Sequence, residues 1–173
     1  GRRKVALMID KINKFREYLD YVERHYLNVQ KAWKEINDKC PNDDFRFIYD
    51  DFVWGTINND VINHDSSKLS ADEFTQYRQW FFPAEGEIKD KALFKSAWEH
   101  HKANNDHHWQ SWTSYESTPY DDAFVVMMVV DWMDMGYEFD DTAKDYYENN
   151  KDEINLPDWA VKLMYRIFDC VYS

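Results

Sequence analysis

Apolar residues recur at steps of three and four along the first 39 residues: Met8, Ile12, Phe15, Leu19, Val22, Tyr26, Val29, Trp33 and Ile36. That spacing lines one face of a 3.6-residue helix and predicts a long helix, broken at most once, ending at "CPNDD" (40–44). A second helix is predicted over 45–64, interrupted by Gly55. Ser70 and Glu73 in "SADE" have the spacing of a capping box, which opens a third helix to about Phe82, stopped by Pro83. Over 88–104, Leu93, Phe94, Ala97, Trp98 and His101 share one side of a fourth, and "NND" (104–106) turns the chain. "HHWQSW" then reads as a short helix or loop, and Thr118-Pro119 as a cap with a first-turn proline. The run "AFVVMMVVDWM" (123–133) is apolar nearly all round and predicts a buried central helix, with a strand as the rival because of its β-branched content. A polar helix at 141–151 follows, and Leu156-Pro157 opens the last one.

The length of 173 residues suits one domain spanning the chain. Only 4 Gly and 4 Pro leave little turn chemistry for a many-stranded protein, so the pattern predicts an all-α bundle. The formal net charge of -12 argues against a nucleic-acid scaffold role or an anionic membrane partner, though not against a small phosphorylated substrate held by a local cation. No apolar run approaches the roughly 18 residues of a membrane span, and the basic start lacks a signal-peptide core. Cys40 and Cys170 are far apart in sequence, so no disulfide framework is expected and the default compartment is the cytoplasm.

The six histidines change the picture. His100, His101, His107 and His108 fall within nine residues, and both the straight and the turned-back geometry converge imidazoles on one ion. His25 lies beside the apolar stripe of the first helix, and His64-Asp65 ends the second. Asp131 sits inside the most hydrophobic segment, where an unpartnered carboxylate is costly and a metal ion, an arginine or a histidine removes the cost. Each feature also has an ordinary reading: a hydrogen-bonded core histidine, a capping aspartate, a surface polar run.

Taken together, His25, His64-Asp65, the later histidines and Asp131 follow an order that resembles the HD-domain superfamily of metal-dependent phosphohydrolases. "HDSSK" looks like that family's HD-x-x-K form, and the match covers about residues 18–135. "RHYLNVQKAW", "HDSSK" and "AWEHHKANNDHHW" are also similar to an uncharacterised family of bacterial and phage proteins. The HD-domain resemblance implies an all-α bundle with His25, His64, Asp65, His101, His108 and Asp131 as ligands at its centre. They would hold one or two divalent transition-metal ions, Fe, Mn, Zn, Ni or Co. It also implies a phosphoester or phosphoanhydride hydrolase acting through a metal-activated water on a small, nucleotide-like substrate. Lys68, on a loop expected to be exposed, would bind phosphate. Asp65 would serve as a proton-transfer group, and Tyr77, Arg78, His100 and His107 would line the substrate pocket. The late histidine pairs are closer together than in typical two-metal members, and the cyclic-dinucleotide signature HHExxDGxGYP is matched only at its start by "HHKANND". The same ligand order occurs in a mixed-valent di-iron oxygenase branch, which is the alternative. A non-catalytic metal-stabilised interaction protein, drawing on Trp80, Trp98, Trp109 and Trp112, is a third reading.

Overall fold

The structure, a computed structural model, describes residues 1–41, 45, 50–114 and 121–173. Helices α1 (Arg2–Lys39), α2 (Asp51–Ile62), α3 (Phe74–Phe81), α4 (Lys91–Asn104), α5 (Trp109–Trp112), α6 (Asp121–Phe139), α7 (Ala143–Asn150) and α8 (Asp158–Val171) follow in order, with a 3-10 turn at Ser66–Leu69. No strand occurs among the described residues, so the expected all-α class holds. Helix α1 ends at Lys39, where "CPNDD" (40–44) is expected to end it; residues 42–44 and the Thr118-Pro119 cap lie outside the described residues.

The chain packs as two compact units, Gly1–Arg24 with Asp65–Asn105, and His25–His64 with Asp106–Ser173. It passes from one to the other at Arg24–His25, His64–Asp65 and Asn105–Asp106. The second unit is built around α6, against which α2, α5, α7 and α8 pack. Every residue of α6 from Ala123 to Asp134 is buried, which settles helix over strand: a helix covered on all sides needs no polar face. Gly136 marks where α6 meets the turn to α7, since a Cβ there would stand 2.6 Å from the Asp141 carbonyl oxygen. The core adds Val29, Ala32, Trp33 and Ile36 of α1 to α6 and α8. Cys40 and Cys170, remote in sequence, share a hydrogen bond between free thiols, and burial pushes the Cys40 thiol up to about 12.

The first unit has a smaller, aromatic core of Tyr18, Tyr77 and Ala97, with Tyr21, Val22, Phe74, Phe82 and Phe94 against it. The apolar stripe expected along the whole of α1 is buried only in its later half. Met8, Ile12 and Leu19 are exposed, because within this unit Tyr18 alone of the first 24 residues reaches the core fully. Helix α2 begins at Asp51 rather than 45, where the Asp50 carboxylate accepts from the backbone N–H groups of Phe52 and Val53. Helix α3 begins three residues later than the capping-box spacing predicts. The Glu73 side chain makes no cap, and residues 71–73 form turns held by the Ser70 carbonyl.

Candidate metal centre

In the second unit three elements bring three potential ligand atoms together. His25 is presented by α1, His64 by the turn that closes α2, and Asp131 by the middle of α6. The Nε2 atoms of His25 and His64 are 3.1 Å apart. The Asp131 carboxylate oxygen Oδ1 lies 3.1 Å from His64 Nε2 and 3.6 Å from His25 Nε2. All three residues are less than a tenth exposed. Ligands about 2.1 Å from an ion sit about 3.0 Å apart in octahedral and about 3.4 Å in tetrahedral geometry, so this triangle has the dimensions of one face of a coordination sphere. Burial opposes the charge on Asp131, but the His64 hydrogen bond and the nearby His107 and His108 rings outweigh it and hold the carboxyl well below its usual range. These buried groups are positioned to hold a metal ion.

Carboxylates stand behind the histidines. Asp134, one turn along α6 from Asp131, pairs with His25 Nδ1, although burial raises its own pKa more than His25 lowers it. Asp60, one turn before His64, lies 3.6 Å from His64 Nδ1 and 3.3 Å from His107 Nδ1. Burial pushes Asp60 up, yet its contacts with His107 and His64 bring it down to about 2. The His107 ring is stacked on His64 with centroids 4.1 Å apart. His108 is half-buried at the start of α5.

The first unit has its own polar centre. Asp65 adopts a left-handed conformation, φ 55° and ψ 21°, which aspartate tolerates better than most residues. Its carboxylate does not cap the 3-10 turn. One oxygen is 2.7 Å from Lys68 Nζ and the other 3.2 Å from His101 Nε2. Lys68 is 13% exposed at its side chain and packed, not on the exposed loop that the sequence suggests, because Asp65 draws it inward. Glu73 is fully buried, and its two oxygens accept from His100 Nδ1 at 2.7 Å and His101 Nδ1 at 2.9 Å. Burial acts to raise Glu73 and to lower His101. Their mutual contact, with Asp65 for His101, reverses both, leaving Glu73 below and His101 above the ordinary value.

Of the residues expected at the site, His25, His64, His108 and Asp131 belong to the second unit with His107, and Asp65, Lys68, His100 and His101 to the first. Tyr77 is buried edge-on against the His101 ring at 5.8 Å, and burial raises its phenol well above the usual range. Arg78 is buried and forks onto Glu87, with Nη2 to Oε1 at 2.9 Å, and lies over the Phe15 ring. Its guanidinium is occupied by the turn after α3. Asp60, Glu73 and Asp134 went unrecognised as site residues. Asp60 and Asp134 carried a signal, each one helical turn from a candidate ligand; Glu73 carried a misleading one, its place in a capping-box pattern.

None of the curated proteins or solved structures compared with the chain matches it. A family profile does, over residues 14–168, which include every residue of both polar centres. The chain therefore belongs to DUF5662, a family of unknown function.

Proposed function

We propose that this chain is a metal-dependent phosphohydrolase acting on a small phosphorylated, nucleotide-like compound. The observation that carries the reading is the triangle of His25 Nε2, His64 Nε2 and Asp131 Oδ1, three buried ligand atoms 3.1–3.6 Å apart. Their order along the chain, with the "HDSSK" stretch, supports it through the resemblance to HD-domain hydrolases. In this reading His108 is a further ligand within the second unit, and Asp65 and His101 are candidate ligands within the first. A divalent ion there supplies a water with a pKa lowered toward roughly 7 and a counter-charge for phosphoryl oxygens. Lys68 supplies a cation for the substrate phosphate, a role that Arg78, forked on Glu87, is not free to share. His100, half-exposed and held by Glu73, and His107, held by Asp60, are the groups suited to pass a proton to the leaving oxygen.

Metal analysis of protein purified without chelator, followed by a panel of phosphate esters and anhydrides, tests the reading. The expected result is at least one equivalent of metal and phosphate release that stops on chelation. Absence of bound metal, even after reloading, overturns the site. Metal without phosphate release overturns the hydrolase, and bound iron with dioxygen uptake replaces it by the oxygenase.

A further inference from the structure

The histidines of both centres share a feature that ligand order does not require: a carboxylate faces the Nδ1 atom of each. Asp134 faces His25, Asp60 faces His64 and His107, and one fully buried Glu73 faces His100 and His101. An ionised carboxylate accepts hydrogen bonds and cannot donate them, so a neutral ring facing it carries its proton on Nδ1. The other nitrogen, Nε2, is then left as a lone pair. The contact is decisive at His25, where Asp134 is the close partner of Nδ1 and Asp131 Oδ1 stands 3.6 Å from Nε2. His64 is different: its Nε2 lies 3.1 Å from Asp131 Oδ1, nearer than Asp60 is to its Nδ1, so without a metal ion Nε2 is its donor, and the His25 Nε2 3.1 Å away is left to accept. His101 has a carboxylate at each nitrogen.

We infer that Asp134 is a positioning residue, which holds His25 as its Nδ1–H tautomer with Nε2 turned toward the metal site. The inference rests on the proposed metal site but not on the reaction. Asp134 touches no substrate and acts through His25. It lies three residues from Asp131 on α6, so one helix face supplies both a ligand and the group that orients another ligand. Outer carboxylates of this kind typically change metal affinity by about 10–100-fold.

Long-range 1H–15N NMR of the metal-free protein at neutral pH reads the tautomers directly. The expected result is Nδ1–H for His25. A wild type with Nε2–H at His25, or with both nitrogens protonated, overturns the inference without any variant. Asp134→Asn keeps the size of the side chain but lets an amide N–H face the ring, so the His25 signal should move toward the Nε2–H form. Zinc affinity, measured by chelator competition, should fall about 10–100-fold while the melting temperature without metal stays within a few degrees. An unchanged tautomer with unchanged affinity also overturns it, and so does a fall in melting temperature with both left intact. If Asp134→Asn does not fold, the wild-type His25 tautomer decides the matter by itself. Wild-type protein that binds no zinc but shows the His25 Nδ1–H tautomer removes the metal site and leaves the positioning inference standing.

Discussion

The two polar centres use the same kinds of side chain to different ends. In the second unit, His25, His64 and Asp131 bring three ligand atoms together, and carboxylates stand behind the rings. In the first, Asp65 divides its oxygens between Lys68 and His101, so the negative charge is already balanced by a side chain. The first centre carries its own cation, and the second is positioned to hold one. Their surroundings differ in the same sense. The second sits against α6, the most buried helix, whose packing holds the triangle in place; the first sits beside a small aromatic core on short elements.

The largest effect that separates the centres is on metal affinity. His64→Ala should weaken binding by more than about 100-fold, beyond what loss of an outer carboxylate gives, because it removes one corner of the triangle. His101→Ala should leave the tight ion in place and at most remove a second, weaker one. Inductively coupled plasma analysis and chelator titration of both variants check this. Equal and complete loss in the two would abolish the distinction.

Lys68 sharpens the comparison on activity. Lys68→Gln keeps a hydrogen-bond donor for Asp65 but removes the charge. Turnover of a phosphorylated substrate should fall tenfold or more, as expected for loss of a charge-assisted contact of roughly 1.5–3 kcal/mol. Metal content should not change. A variant with full kcat/KM would make Lys68 solely the internal counter-ion of Asp65.

The smallest effect is on stability, and it concerns the first unit. The Arg78 guanidinium holds Glu87 down to about 2, below its unfolded value, against a smaller opposing effect of burial. A depressed carboxylate stabilises the folded state above its unfolded pKa and loses that contribution as pH falls through the folded one. Wild type should therefore melt higher than Glu87→Gln at pH 7, and the gap should shrink as pH drops from about 4.5 toward 2. A gap independent of pH over that window would show that shape, not charge, makes the contact.

Local pattern was enough to read the helices at α1, α4, α6, α7 and α8, because periodicity and end signals act within a few residues. Gly55 did not break α2, as its position in the helix has open space around it and costs only intrinsic propensity. Along the first turns of α1, by contrast, the same periodicity marked Met8 and Ile12 for burial, and they are exposed. Periodicity says which residues share a face, not whether anything covers it.

Residue type and order by themselves determined that this is an all-α chain with candidate ligands at His25, His64, Asp65 and Asp131. What those ligands lean on was decided by tertiary structure alone. Glu73 has the sequence of a helix cap, yet it is drawn to His100 and His101 from 27 and 28 residues away, since two imidazole donors inside a core outweigh one backbone N–H at a helix end. Asp134 reads as a polar interruption of an apolar helix until α1 places His25 against it. Hydrogen bonds act over about 3 Å, and which groups come within that distance is settled only when remote segments pack.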